Sequence, residues 1–269
     1  DPDKRTNGKG KLLMEEAGIE CIEAKIFKNE NSDVLKGYLK QKQTGFPHIT
    51  LKIGSSLNGK IATKSGESKW ITNTLCRRRV QLLRSEHDGI LIGKNSIIID
   101  NPRLNLRDAF EIIEDKPIFI LDTSFELASI ESLSLFDKVR RDKVYIITSM
   151  KPKNMIKKTS DFLKGVNIET TKSDLGFLSV EEVLKIISRI GVNRLLVEGG
   201  GRVWTSFLKT GFFDEIVMFT GNKIINDSAI SCFNDFLPAH TRLGDFPNLT
   251  LKSLLKWKDN IEARWEARY

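Results

Sequence analysis

Four stretches of this sequence carry residue types that could bind a charged ligand or move a proton. The first is Lys52-Ile53-Gly54-Ser55-Ser56-Leu57-Asn58-Gly59-Lys60, leading to Ser65-Gly66-Glu67-Ser68-Lys69-Trp70-Ile71-Thr72. A strand that ends in glycines and hydroxyls lets a ligand approach the backbone closely; the same composition also suits a flexible loop. The second joins Arg77, Arg78, Arg79 and Arg84 to Asp100-Asn101-Pro102-Arg103-Leu104-Asn105-Leu106-Arg107. A guanidinium is a planar fork of donors suited to phosphate, and each charge-assisted bond is worth about 1.5 to 3 kcal/mol. Arg84 and Arg107, from separate segments, could clamp one phosphate, whereas Arg77, Arg78 and Arg79 read as a solvated basic face.

The third stretch is Val197-Glu198-Gly199-Gly200-Gly201-Arg202-Val203-Trp204-Thr205, a strand running through a glycine triplet into a helix. Amides at that helix start could cradle a pyrophosphate without a side chain. It matches neither the Gly-x-Gly-x-x-Gly fingerprint nor a Walker A loop, and a tight turn explains the glycines equally well. Glu198 says more, because a carboxylate ending an apolar strand is costly without a partner. The fourth, Leu121-Asp122-Thr123-Ser124, places polar groups after another apolar strand, to contact a ribose or simply to form a turn or cap.

Absent motifs narrow the chemistry. A zinc deaminase needs His-x-Glu and Pro-Cys-x-x-Cys, but His48, His87 and His240 lack that Glu, and Cys21, Cys76 and Cys232 lie far apart. No Gly-x-Ser-x-Gly elbow begins a serine hydrolase triad. His87 and His240 read as surface or helix-end residues.

Periodicity supplies the elements that must position these residues. Strands are expected at 49–54, 89–93, 118–122, 144–148, 194–197 and 215–219. Helices are expected at 74–86, capped by Thr72 or Asn73, and at 179–190, capped by Ser179 and carrying Val180, Val183, Leu184, Ile186 and Ile187 on one face. Such alternation predicts an α/β fold, a mostly parallel sheet with helices on both faces and ligand sites at the carboxyl ends of its strands. Residues 249–257 and 261–269, around Asp259-Asn260, predict a C-terminal antiparallel hairpin. Residues 1–46 are polar and read as an appendage or linker, with 28–42 a loop or exposed helix; 47–269 form the main domain.

With 269 residues, 40% of them hydrophobic, the chain can bury a real core, which excludes disordered, collagenous and disulfide-scaffold classes. No apolar run approaches the ~18 residues of a membrane span. Three scattered cysteines suit a reducing compartment, so a cytoplasmic location is expected. A net charge of +8 could serve nucleic acid, but bases and acids are interspersed and no finger, RNP or homeodomain pattern accompanies them. An anionic small ligand explains the charge as well. The sequence opens without Met or an apolar signal region, so Asp1 reads as other than a natural start.

Taken together, Leu51-Lys52-Ile53-Gly54 with Ser56-Leu57-Asn58-Gly59-Lys60, then Ser65 to Thr72, Asp100-Asn101-Pro102-Arg103-Leu104 and Val197-Glu198-Gly199-Gly200 resemble the reductase domain of the bifunctional riboflavin biosynthesis deaminase/reductase, dihydrofolate reductase-like in fold. The resemblance covers 47–269, and the second motif is the most specific. Residues 1–46 look like the tail of the deaminase domain, whose zinc-bearing portion this sequence does not contain. The family usually has Asp where Asn58 stands, and Arg202 and Trp204 are larger than its common residues there.

This resemblance implies NADPH-dependent reduction of 5-amino-6-(5-phosphoribosylamino)uracil, with hydride passing to the ring-opened ribose C1 carbon. Carried over by position, Gly54, Trp70, Ser96, Asp100 and Thr123 contact NADPH, together with Gly200, Gly201, Arg202, Val203, Trp204, Thr205 and Ser206. Ser68, Thr72, Arg84, Leu104 and Arg107 hold the substrate and its phosphate, and Glu198 the region of the reacting centre. Lys52, with donors only, would either read a pyrimidine carbonyl or supply the proton that accompanies the hydride. The resemblance further implies a homo-oligomer acting on a small molecule, with no nucleic acid or membrane partner. The rivals are a pterin reductase of the same fold, which needs no arginines at one phosphate, and a nucleic-acid-binding module with salt-dependent affinity.

Overall fold

The computed structural model describes residues 3–22, 32–104, 116–137, 139–150, 163–233 and 242–268. Arg107 and His240 lie outside the described residues. In chain order the elements are α1 (Lys9–Glu16), α2 (Ser32–Thr44), β1 (His48–Ser55), β2 (Lys60–Ala62), α3 (Thr74–Ser85), β3 (Gly89–Gly93), α4 (Lys94–Asp100) and β4 (Ile118–Leu121). They continue with β5 (Val144–Thr148), β6 (Asn167–Thr170), β7 (Ser173–Asp174), β8 (Phe177–Leu178), α5 (Val180–Arg189), β9 (Arg194–Val197) and α6 (Gly201–Thr210). The last are β10 (Glu215–Thr220), β11 (Ile230–Ser231), β12 (Leu249–Trp257) and β13 (Asn260–Ala267).

A nine-stranded sheet has the order β12-β13-β10-β1-β9-β3-β4-β5-β6. From β10 to β6 every neighbour runs parallel, and the C-terminal hairpin adds two antiparallel strands at one edge. The expected α/β architecture is therefore present. Alternate residues of the central strands feed opposite faces, as the two-residue pleat requires. Ile49, Leu51 and Ile53 pack with Val183, Leu184, Ile187 and Phe207 from α5 and α6, whereas Leu196, Val217 and Phe219 meet Cys76 and Leu83 of α3. Fully buried runs such as Gly89–Gly93 reflect that double cover.

Caps form where the sequence offers them. Asn73, not Thr72, caps α3 by accepting from the Cys76 amide at 3.0 Å, and Ser179 accepts from the Glu182 amide at 3.4 Å to start α5. Asn260 belongs to β13 rather than to the hairpin turn, which Lys258 and Asp259 make, with Lys258 left-handed at φ 59°. Its side chain is buried because its Oδ1 accepts from the Asn73 amide at 2.7 Å, tying the start of α3 to the hairpin. Segment 28–42, expected as a loop or exposed helix, contributes α2, which docks on the sheet: Lys36 pairs with Glu215 at 3.3 Å, Lys40 pairs with Asp214, and a side chain at Gly37 would lie 2.4 Å from Arg194. Strands β6, β7 and β8 are too polar or too short to show in the periodicity.

His87 is a helix-end residue, as expected, but not a surface one. It is 1% exposed, with Nδ1 at 2.7 Å from the Leu83 carbonyl and Nε2 at 2.9 Å from the Thr50 hydroxyl. Burial pushes His87 down to about 4 and His48 down to about 2, with Lys36, Lys40 and Arg194 adding to the effect on His48. Because both folded values lie below the ordinary 6.5, the unfolded chain takes up protons first as the pH falls. Stability is complete above about pH 6.5 and is lost toward pH 4, by roughly 3 kcal/mol from one such group. Urea unfolding at pH 7 and pH 4 measures the loss. His48→Gln should shrink the acid loss, and an unchanged pH dependence would count against this origin.

Candidate active site

At the carboxyl ends of the parallel strands, where open α/β sheets bind ligands, lies a cavity of about 1290 Å³. Single-ligand pockets are usually about 300 to 1,000 Å³, so this one has room for two reactants. Its floor is a charge cluster. Lys52 on β1 points to the same sheet face as Thr50; Glu198 follows β9, its amide donating to the Leu91 carbonyl at 2.8 Å; Arg84 arrives from α3. Arg84 donates from Nε and Nη2 to the two Glu198 oxygens at 2.5 and 2.9 Å, and Lys52 Nζ lies 3.2 Å from Oε2.

The Glu198 side chain is 5% exposed. Burial alone would raise its carboxyl, but Arg84 and then Lys52 outweigh that and hold it down at about 2. The cluster carries two cations and one anion, so a net positive charge faces the cavity. All three are expected site residues, though nothing in the sequence shows that they meet. Arg84, expected at a phosphate, commits two of its guanidinium nitrogens to Glu198.

The glycine triplet opens onto the cavity as expected. Gly200 precedes α6 without any side-chain cap bond; the Val203 amide turns back to the Gly200 carbonyl at 2.9 Å, and the amides of Gly201 and Arg202 belong to residues that line the cavity. Backbones approach closely here: a methyl on Gly93 would lie 2.8 Å from Val203 Cγ2, and one on Gly199 would lie 2.5 Å from Val203 Cβ. Gly200, Gly201, Arg202, Val203, Trp204 and Ser206 line the space, but Thr205 is buried on the inner side of α6 and does not. Trp204 is also largely buried and donates from Nε1 to the Val197 carbonyl at 3.4 Å, so it buttresses the turn.

Ser96 sits beside this turn, its Oγ 3.5 Å from where a Gly200 methyl would stand. Thr123 donates to the Gly176 carbonyl at 3.5 Å, and Arg202 lies 5.1 Å from the Phe177 ring centre. The β7–β8 hairpin thus closes one end of the cavity, a role its two-residue strands did not advertise. Asp122 is no ligand candidate: it is buried and accepts from the Leu127 amide at 2.8 Å.

Toward the other end, Ser68 donates to Asp100 at 3.2 Å, so residues expected on different reactants meet at their boundary. Trp70 is 58% exposed, with the Arg77 guanidinium 4.0 Å from its ring centre, which removes Arg77 from a purely solvated face. Thr72 faces Gly54, whose missing side chain keeps the cavity open between them. Leu104 is buried at the wall with φ 49°, and the neighbouring Arg103 also lines the cavity, a residue the sequence reading left without a role.

The Gly93 contact yields a prediction. Gly93→Ala drives a methyl into Val203 and should weaken binding of a dinucleotide at this turn about tenfold, consistent with the roughly 1 to 3 kcal/mol of overpacking. Adding Val203→Ala removes the opposing Cγ2 and should restore affinity in a fluorescence titration. Equal affinities in the wild type and Gly93→Ala would contradict a dinucleotide seat at this turn.

The family profile described as the RibD C-terminal domain matches residues 47–259. The chain belongs to the RibD C-terminal domain family. Among curated relatives, the riboflavin biosynthesis protein RibD of Aquifex aeolicus (strain VF5) is 34% identical over 228 residues, 84% of this chain. This chain spans 60% of the length of that relative. Among solved structures, RibD of Acinetobacter baumannii superposes with a TM-score of 0.84 at 25% identity, covering 100% of this chain and 71% of that one. A Thermotoga maritima protein described as diaminohydroxyphosphoribosylaminopyrimidine deaminase/5-amino-6-(5-phosphoribosylamino)uracil reductase gives a TM-score of 0.81 at 24% identity, covering 99% of this chain and 69% of that one, a likeness of fold. The expected membership and fold of the RibD reductase domain are thus borne out. No described helix is long and apolar enough to cross a membrane.

Proposed function

We propose that this chain reduces 5-amino-6-(5-phosphoribosylamino)uracil to its ribitylamino product with NADPH. The observation that carries this reading is the Lys52–Glu198–Arg84 cluster at the junction of two cavity halves, one a glycine-lined helix start and the other walled by Ser68, Thr72 and Leu104. RibD family membership supports it. The glycine turn fits a dinucleotide, because Gly93 and Gly199 leave no side chain between β3 and α6 and the α6 amides favour an anion.

When bound, NADPH supplies the hydride. Gly200, Gly201, Arg202 and Val203 would hold its pyrophosphate, while Gly54, Trp70, Ser96, Asp100, Thr123 and Ser206 would line its path. Ser68, Thr72 and Leu104 hold the ribose side of the substrate, and Arg107 is expected to meet its phosphate. The ring-opened substrate gains hydride at C1 and a proton at the attached nitrogen. Lys52, whose Nζ lies 3.2 Å from Glu198 Oε2, would give that proton or read a pyrimidine carbonyl, and the salt bridge supports a role for it at the reacting end. Most of the acceleration would come from holding donor and acceptor carbons together.

The three cysteines are unpaired thiols, which supports a reducing compartment, the cytoplasm. Exposed Leu251, Leu254 and Leu255 on the edge strand β12 support a homo-oligomer. Loss of the cofactor's near-ultraviolet absorbance tests the reading. Oxidation of NADPH with the phosphoribosylaminouracil, and none with dihydrofolate, is expected; oxidation with dihydrofolate alone would overturn it in favour of a pterin reductase.

A further inference from the structure

We infer that Glu126 is a built-in competitor for the seat of the cofactor's 2′-phosphate, and that with Lys94 it sets how strongly the chain prefers NADPH to NADH. The inference rests on the cofactor part of the reductase reading and concerns two residues with no part in hydride transfer. Lys94 opens α4 just past β3, and Ser124 and Glu126 follow β4, the next strand of the sheet. Lys94 Nζ lies 3.4 Å from the Ser124 hydroxyl, and that hydroxyl donates to Glu126 at 2.7 Å. A salt bridge between Lys94 and Glu126 closes the triangle, and all three residues line the cavity.

The position of this triangle along the sheet decides what it can meet. Lys52 and Glu198 stand at the ends of β1 and β9, and the glycine turn leads on from β9 into α6, where Val203 packs against Gly93 of β3. Beyond β3 comes β4. A dinucleotide with its nicotinamide at the charged cluster and its pyrophosphate on the turn therefore directs its adenosine half toward β4. Phe177 and Arg202, whose guanidinium lies 5.1 Å from the ring centre, bound that end of the cavity. An ammonium and a hydroxyl are the donors a phosphate monoester needs, whereas an unphosphorylated ribose 2′-hydroxyl is met by a carboxylate. The triangle holds both kinds of group, and in the free chain the Glu126 carboxylate engages the two donors itself. It stands where phosphate oxygens would stand.

The turn that carries Glu126 is fixed, but the side chain is not enclosed. Phe125 is fully buried at φ 57°, its amide donating to the Asp122 carbonyl at 3.1 Å, and Asp122 Oδ2 accepts from the Leu127 amide at 2.8 Å. Ser124 and Glu126, on either side of Phe125, are thereby held at the cavity wall. The Glu126 side chain is 56% exposed and that of Lys94 20%. An ion pair so open to water is weak, and a phosphate monoester carries about −1.5 to −2 charges at pH 7, so it displaces the carboxylate into solvent. The displacement still lowers the affinity for NADPH. NADH brings no anion to Lys94 and escapes the competition.

The test measures affinities, by fluorescence titration for NADPH and NADH and by calorimetry for adenosine 2′,5′-bisphosphate and AMP, which carry no nicotinamide. Glu126→Gln should tighten NADPH and the bisphosphate about two- to fivefold, the usual worth of an exposed ion pair, and leave NADH and AMP unchanged. Lys94→Met should weaken both 2′-phosphorylated ligands roughly tenfold or more, as loss of a charge-assisted bond predicts, again without effect on NADH or AMP. With Lys94→Met in place, Glu126→Gln should lose most of its effect, because the carboxylate has no ammonium left to block; an equal gain in both backgrounds overturns the competition. An unchanged or lowered preference for NADPH in Glu126→Gln overturns the inference, as does a Lys94→Met variant that loses NADH as much as NADPH. Turnover separates this outcome from failure of the reductase reading. If wild type binds NADPH but does not oxidise it with the phosphoribosylaminouracil, that reading fails and the affinities still decide the role of Glu126; wild type that binds none of the four ligands overturns both.

Discussion

Lys52→Met should lower kcat for the phosphoribosylaminouracil by about 100- to 10,000-fold, the usual worth of a positioned proton donor. Methionine is unbranched and nearly as long, so it can fill the same channel, and Arg84 still neutralises Glu198 through two bonds. Folding should change little. NADPH affinity should also hold, because the glycine turn before α6 contains no part of the Lys52 side chain. Steady-state turnover and cofactor fluorescence titration separate these effects. A kcat within about threefold of wild type would remove Lys52 from the chemistry.

Glu198→Gln should damage both stability and turnover. It leaves the Arg84 and Lys52 charges facing each other in a buried site, and breaking a buried pair by removing one partner costs about 3 to 5 kcal/mol. Lys52 then loses the carboxylate that aims its side chain, and turnover should fall roughly 100- to 1,000-fold. The pH dependence adds a signature. Glu198 is held at about 2 in the folded chain against an ordinary 4.5, so its contribution to stability is present above about pH 4.5 and is lost as the pH falls toward 2. The Gln variant should lack that acid limb in urea unfolding. An unchanged unfolding midpoint together with unchanged kcat would contradict the buried cluster.

Much of the fold was legible because its parallel strands are short β-branched runs and its helices show one apolar face. The strands at 89–93, 144–148 and 194–197 appear where expected, and Ser179 starts α5. What escaped was set by tertiary contact. Asn260 looks like a turn residue in isolation, and only the unsatisfied amide of Asn73 explains why it is buried in a strand. His87 looks solvent-facing after a charged helix, until Thr50 on a distant strand supplies its partner. In the site, Glu198 was conspicuous because an unpaired carboxylate on an apolar strand is costly. The identity of its partner was not: Arg84 is 114 residues away in sequence. Arginine's affinity for phosphate suggests an anionic ligand for Arg84, and only the folded chain shows the fork it makes to Glu198. Thr205 is hidden in the reverse way, since a position inside a glycine-led motif can still face the core.

The most direct test of the central claim is transfer of the label itself. NADPH carrying deuterium at the reactive face of the nicotinamide C4, with each face labelled in turn, is incubated with the phosphoribosylaminouracil and this chain, and the product is analysed by mass spectrometry and NMR. The proposed reaction predicts a ribitylamino product with one deuterium, located at the former ribose C1 carbon and arising from one of the two labelled cofactors. A reduced product without deuterium from either cofactor, or with the label at a pyrimidine carbon, would contradict hydride delivery to the ribose over the Lys52–Glu198–Arg84 cluster.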